Sequence, residues 1–148
     1  MKIALYQPDI AGNVGTMIRL SACMGLDLDI IEPCGFPFSK EKIKRSGMDY
    51  INYVNITRYN SFEEFQVKNK NLRIVLLTTK SSLPYMEFKF QKNDILMVGR
   101  ESAGVPESVH QAVDGRVLIP MKKDFRSINV AISLAMVLGE GMRQTGLF

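Results

Sequence analysis

Three runs in the second half of this chain, RIVLLTT at residues 73–79, DILMVG at 94–99 and RVLIP at 116–120, have continuously apolar centres rich in β-branched side chains. A strand that is apolar on both faces must be covered on both. That is the pattern of a parallel sheet between helix layers, not of an antiparallel sheet with one wet face. The first half supplies further strands: KIALYQP at 2–8, stopped by Pro8, and LDLDIIEP at 26–33, stopped by Pro33. Residues 50–56 form a third candidate.

Helical spacing fills the intervals. Val14, Met17, Ile18, Ser21 and Ala22 repeat behind Asn13, a candidate cap, and Gly25 ends that helix. Residues 39–47 (SKEKIKRSG) read as a short basic helix. Residues 61–68 carry Ser61 and Glu64 at capping-box spacing. Residues 106–113 begin with Pro106 in a first turn, and 128–143 form a last helix. Residues 81–93 are an irregular crossover. Strands alternating with helices predict one α/β domain over 1–148, a parallel sheet in an α/β/α sandwich. Ligands of such sheets sit at the carboxyl ends of the strands, here the loops 78–80, 99–105 and 120–127.

At 148 residues and 46% hydrophobic the chain has enough apolar side chains for one core. No run reaches the ~18 apolar residues of a membrane span, and the opening lacks the long apolar stretch of a secretion signal, so a cytoplasmic location is expected. Cys23 and Cys34 make no disulfide framework and read as free thiols. The net charge of +4 permits a nucleic-acid partner without requiring one. Its distribution says more. Lys40, Lys42, Lys44 and Arg45 cluster, and Arg116, Lys122, Lys123 and Arg126 crowd the C-terminal loops. Each cluster alone is compatible with a solvated face, but both stand beside glycine-rich loops, which favours a phosphate-bearing partner.

Several chemistries are excluded. His110 is the only histidine, with no partner pattern in a polar helix, so it reads as a surface residue. With two distant cysteines it makes no zinc or haem site, and no Ser-His-Asp arrangement. The dinucleotide glycine fingerprint is absent. Gly99 and Gly104 have P-loop spacing, but Val105 and Pro106 stand where Lys and Ser/Thr are needed. Methyl transfer from S-adenosyl-L-methionine needs no metal, imidazole or triad. The protein must align donor and acceptor and exclude water.

Three motifs carry polar groups at the edges of apolar elements. The first is Asn13, Gly15 and Arg19, where a glycine one turn before the guanidinium either clears a surface for phosphate or ribose or is a packing residue. The second is LMVGRESAGVP at 96–106. The third sets Arg126, Ser127 and Asn129 at the head of a helix that is apolar nearly all round. Such an all-round helix points to a second surface that covers it.

In this order, NVGTMIR, LMVGRESAGVP and IPM followed four residues later by RSINVA resemble the SPOUT superfamily of RNA methyltransferases. LYQPDIAGNVGTMIRL, IIEPCGFPFS and LTTK are most similar to its minimal TrmL-type subgroup. The resemblance implies 2′-O-ribose methylation of tRNA at the anticodon wobble nucleotide, a cytidine or modified uridine, with S-adenosyl-L-methionine as cofactor, S-adenosyl-L-homocysteine as product and no metal. It also implies a C-terminal trefoil knot, which general topology rules disfavour, and a homodimer packed through the first and last helices. Ribosomal RNA as substrate, or a non-catalytic RNA-binding protein on the same fold, are the alternatives.

By motif position, the resemblance implies cofactor contacts from Leu77, Thr78, Gly99, Gly104, Leu118, Ile119, Met121 and Ser127. Leu118, Ile119 and Met121 would form an apolar wall with backbone hydrogen bonds to adenine. It implies catalytic roles for Arg19, Asn13, Glu101, Ser127 and Asn129. Asn13 would shape the surroundings of Arg19, Ser127 and Asn129 would hold Arg19 or the cofactor, and Glu101 would assist or orient Arg19. An arginine rarely gives up its proton, so Arg19 is expected to grip the phosphate beside the target ribose and steady alkoxide charge rather than act as the base. Lys40, Lys42, Lys44, Arg45 and Arg126 are the expected RNA contacts. Arg100 stands where many members carry Pro, and Val105 where they carry Leu.

Overall fold

The computed structural model describes residues 1–39 and 48–147. Six strands form one parallel sheet: β1 (Lys2–Tyr6), β2 (Leu28–Ile31), β3 (Ile56–Tyr59), β4 (Ile74–Leu77), β5 (Ile95–Val98) and β6 (Gly115–Val117), in the order β3-β2-β1-β5-β4-β6. Among the described residues four helices cover it: α1 (Ala11–Met24), α2 (Phe62–Lys68), α3 (Glu107–Ala112) and α4 (Val130–Thr145).

The period-two alternation of the strands divides the core. Ile3, Leu5, Ile30, Val75, Leu96 and Val98 pack beneath Val14, Met17 and Ile18 of α1 and Leu134, Val137 and Leu138 of α4. Ala4, Tyr6, Ile31, Leu76 and Met97 pack on the other face against Phe62 and Phe65 of α2 and Val109 of α3. This is the α/β/α sandwich expected from the continuously apolar runs. Every residue of β2 and of β5 is buried.

The strand order places the site. β1 lies between β2 and β5, because the chain first builds outward to β3 and then returns to the other side of β1. Loops leaving the carboxyl ends on either side of that reversal diverge and leave a crevice. α4 returns across the same face to pack against α1, β4 and β5, which brings its N-terminus to the crevice.

α4 buries Ala131, Leu134, Val137, Leu138, Gly141 and Met142, the spacing of one helix face. A second apolar face remains outside, with Ile132 56% and Met136 40% exposed. Burial within this chain thus accounts for only part of the helix's apolar character.

Local expectations fail in four places. Asn13 is not the cap of α1. The helix starts at Ala11 behind Ile10, with no side-chain cap, and the Asn13 amide is committed to distant partners. Residues 50–56 are not one strand. A 3₁₀ helix spans Met48–Tyr53 and β3 begins at Ile56. Tyr50, Ile51 and Val54, spaced for a helical turn, pack on the core around α1. Ser61 caps α2 by accepting from the Glu64 N–H at 3.2 Å, but the returning Glu64 carboxylate accepts from the Asn60 N–H at 2.8 Å rather than from Ser61. His110 is only 4% exposed, not a surface residue, because α3 is short and turns it toward the sheet with Val109. The basic helix expected at 39–47, with Lys40, Lys42, Lys44 and Arg45, lies outside the described residues apart from Ser39.

Candidate functional site

The carboxyl ends of β4 and β5, the segment following β6 and the first turns of α1 and α4 enclose a cavity of about 390 Å³. Its floor is apolar, from Leu76, Leu77, Val98, Val105 and Ile119. Its rim is polar, from Thr78, Glu101, Ser127 and Asn129. That size and lining belong to small-molecule sites, about 300–1,000 Å³ with a few placed polar groups, and suit a ligand with an apolar ring system and a charged end.

Leu77, Thr78, Gly99, Gly104, Ile119, Met121 and Ser127 all line this cavity. Leu118 does not. Its N–H donates to the Leu83 carbonyl and its carbonyl accepts from the Tyr85 N–H, both at 2.9 Å, so it pins the crossover segment instead. Both backbone groups of Leu118 are thus taken by the crossover segment, while Ile119 is buried at the cavity.

The two glycines have distinct reasons. A Cβ on Gly99 would lie 2.7 Å from the carbonyl carbon of Gly104. Gly104 has φ +66°, a left-handed conformation that favours glycine. The backbones of Arg100 and Gly104 exchange hydrogen bonds of 3.0 and 2.8 Å, closing the loop on itself. The Gly99 requirement is therefore an internal contact rather than close approach of a ligand.

Polar side chains tie three loops together above the cavity. Glu101 Oε1 accepts from Asn13 Nδ2 at 2.9 Å and Glu101 Oε2 from the Asp9 N–H at 2.8 Å. Asn13 Oδ1 accepts from Asn129 Nδ2 at 3.0 Å. Asn129 Oδ1 caps α4 by accepting from the N–H groups of Ala131 at 2.9 Å and Ile132 at 3.3 Å. Asp9 in turn takes Arg100 at 2.7 Å. These bonds hold the Asp9 carboxyl down to about 2, first through Arg100 and then through Ser102. Asn13, Glu101, Ser127 and Asn129 thus gather at one cavity, with Glu101 bonded to Asp9 and Asn13 rather than to Arg19.

Arg19 stands apart from them. It lies on the exposed stripe of α1 with Gly12, Thr16 and Cys23, its guanidinium carbon 5.1 Å from the Tyr50 ring centroid, and it does not line the cavity of its own chain. Gly15 is buried and serves packing rather than opening a surface beside Arg19.

Arg126 is exposed in the 120–128 loop with Lys122 and Lys123. Between them Phe125, absent from the sequence-based candidates, is 69% exposed. An aromatic interleaved with cations is the signal that would have found it. Asp9 was also missed. Its signal is its place, an acid in the loop at the carboxyl end of the first strand. Among the described residues no cluster of His, Cys, Asp or Glu is arranged to hold a metal, and no helix is long and apolar enough to cross a membrane.

A parallel α/β sandwich with a cavity of this size at the carboxyl ends of its strands defines a small-molecule-binding α/β protein. The SpoU rRNA Methylase family matches residues 1–139, and the chain belongs to it. A relative from Beijerinckia indica subsp. indica, named tRNA (cytidine(34)-2'-O)-methyltransferase, is 53% identical over 97% of this chain and 91% of its own. A solved structure concerned with 2-OH methylation of C/U34 on tRNA superposes with a TM-score of 0.91 at 33% identity, covering 97% of this chain and 94% of that one. The AdoMet-bound rRNA methyltransferase from Sinorhizobium meliloti superposes at 0.86 with 25% identity, covering 96% of this chain and 55% of the other.

Proposed function

We propose that this protein transfers a methyl group from S-adenosyl-L-methionine to the ribose 2′-oxygen of the wobble nucleotide of tRNA. The convergence of the Gly99–Gly104 loop, Ile119–Ser127 and the Asn13–Glu101–Asn129 bonds on one cavity carries this reading. The high identity to the Beijerinckia relative supports position 34. The threaded C-terminal knot that the resemblance implies belongs to the same reading.

When bound, the cofactor supplies a methyl group made electrophilic by a sulfonium. The chain's residues bind and align. Leu77, Val105 and Ile119 offer an apolar wall for an adenine ring, while Thr78 and Ser127 offer hydroxyls at the rim. Glu101 presents a carboxylate fixed from two sides, so its charge does not have to reorganise during reaction. Asn13 and Asn129 keep it there. Arg19 grips an RNA phosphate and steadies the negative charge that develops on the ribose oxygen as its proton passes to solvent and the methyl group moves from sulfur to that oxygen.

Arg19 lies on the outside of α1, so that role needs a second copy. The exposed apolar face of α4 at Ile132 and Met136 supports a homodimer through α1 and α4; in this reading Arg19 of one protomer serves the cavity of its partner. Lys122, Lys123, Phe125 and Arg126 form the rim that meets RNA. Lys40, Lys42, Lys44 and Arg45 belong to the same proposal as expected RNA contacts.

The experiment is to incubate the purified protein with S-adenosyl-L-methionine and unmodified or cellular tRNA and map ribose methylation. A 2′-O-methyl group at nucleotide 34 is expected. Methylation confined to ribosomal RNA, or cofactor binding without any RNA product, overturns the reading.

A further inference from the structure

Asp9 sits in the turn between β1 and α1, four residues before Asn13. Its Oδ1 accepts from Arg100 twice, at 2.7 Å from Nη2 and 3.2 Å from Nε. Its Oδ2 accepts from the Ser102 N–H at 3.2 Å and from the Ser102 hydroxyl. Its own N–H donates to Glu101 Oε2 at 2.8 Å. One residue therefore holds Glu101 directly and both of its neighbours in the chain.

The other side of Asp9 is closed by backbone. Gly35 donates its N–H to the Pro8 carbonyl at 2.9 Å, and a Cβ on Gly35 would stand 2.7 Å from Asp9 Oδ1 and 3.0 Å from Asp9 Cα. The absent side chain makes room for the carboxylate and leaves it one direction in which to point. The Gly99–Gly104 loop is closed at its base by the Arg100–Gly104 backbone pair, so Arg100 and Ser102 are the points at which that loop can be aimed.

We propose that Asp9 is a positioning residue, which clasps Arg100 and Ser102 to hold the cavity wall and the Glu101 carboxylate ready before the cofactor arrives. This rests on the function proposed above. An Asp–Arg pair near the surface contributes little to the stability of the fold. Its effect is read where the loop meets ligand, because pre-ordered loops bind without the cost of being ordered. Arg100 itself lines the cavity and is held there by Asp9, so the two are coupled.

The test is titration calorimetry with S-adenosyl-L-methionine, together with steady-state methylation of tRNA, on wild type, Asp9→Asn, Arg100→Gln and the double variant. Asp9→Asn keeps the size of the side chain and the backbone bond to Glu101, but gives up the charge and one acceptor. It is expected to weaken cofactor binding roughly tenfold, the scale of a lost charge-assisted hydrogen bond, with its melting temperature held close to wild type. The double variant is expected to bind no more weakly than Asp9→Asn, the signature of one shared interaction. Asp9→Asn binding as wild type does, or losses that simply add, overturns the proposal while wild type still binds and methylates. A wild-type protein that binds no S-adenosyl-L-methionine overturns the proposed function, and this inference with it.

Discussion

Asn129 donates from Nδ2 to Asn13 Oδ1 at 3.0 Å, joining residues 116 positions apart in the chain. The same Asn129 caps α4 through Oδ1. One amide therefore fixes the start of the last helix and, through Asn13, the carboxylate of Glu101. Its two ends have separable tasks. Asn129→Asp keeps the cap acceptor and loses the donor. It is expected to keep the melting temperature close to wild type while methylation falls at least tenfold, the scale of a lost hydrogen bond in the proposed catalytic network. Asn129→Ala loses both and is expected to cost about 1 kcal/mol of stability as well, the usual value of such a cap. Thermal unfolding and initial rates on the two variants separate the roles.

The position of Arg19 outside its own cavity predicts complementation between copies. Arg19→Ala removes the guanidinium, and Gly99→Val blocks the loop by striking Gly104. Each variant alone is expected to be inactive. Unfolded together and refolded, they are expected to form mixed dimers in which one site has an intact cavity and an intact Arg19 from the other chain. Random pairing then restores roughly a quarter of wild-type activity. Restoration rules out action within one chain, and a mixture as inactive as its parts rules out the shared site. Arg19→Lys, which keeps charge but not the planar fork, is expected to fall between wild type and Arg19→Ala. Ile132→Glu, on the exposed face of α4, is expected to sediment as a monomer and to lose activity.

The parts of this fold that were legible from sequence are those fixed by local chemistry. The buried strands announced themselves by continuous apolar runs, and α2 by Ser61. The glycines and polar residues of the later motifs marked the loops that close on the cavity. What was not legible depends on partners far along the chain. Asn13 has the residue type of a cap, but Glu101 and Asn129 claim its amide. Leu118 looks like the lining residue beside it, yet pairing with Leu83 and Tyr85 turns it away. His110 reads as polar surface until α3 is seen to be a short helix pressed on the sheet. Nothing local distinguishes Asp9 from any loop acid, because its meaning lies in Arg100 and Ser102.

Phe125 is 69% exposed between Lys123 and Arg126, on the loop that carries Met121 and Ser127 to the cavity. A large apolar ring left in water beside Lys123, Asp124 and Arg126 suits stacking with an unstacked base, worth about 1–3 kcal/mol per base where it occurs. Phe125→Ala is therefore expected to weaken tRNA binding at least fivefold with no change in cofactor affinity. Salt dependence separates it from its neighbours. Lys122→Ala and Lys123→Ala are expected to flatten the dependence of affinity on salt, while Phe125→Ala leaves the slope alone. Filter binding across a salt series reads both, and an unchanged affinity for Phe125→Ala rules out the stacking.

His110 gives the fold a pH dependence whose sign is determined. Burial first, then the positive charge of Lys80, push its imidazole below the ordinary value of 6.5 against the opposing charge of Glu107, with a lesser lowering by Arg116. The unfolded chain takes up a proton as pH falls through 6.5, while the folded chain resists it. Protonation therefore favours unfolding, and stability present above pH 6.5 is lost progressively below it. Asp9 and Glu140 do not confuse the measurement, because arginine partners hold both carboxyls at about 2, far below this window. Urea midpoints for wild type and His110→Gln between pH 7.5 and 5 provide the check. Wild type is expected to lose more stability than His110→Gln across that range. Parallel curves would show that the imidazole protonates equally well in the folded chain.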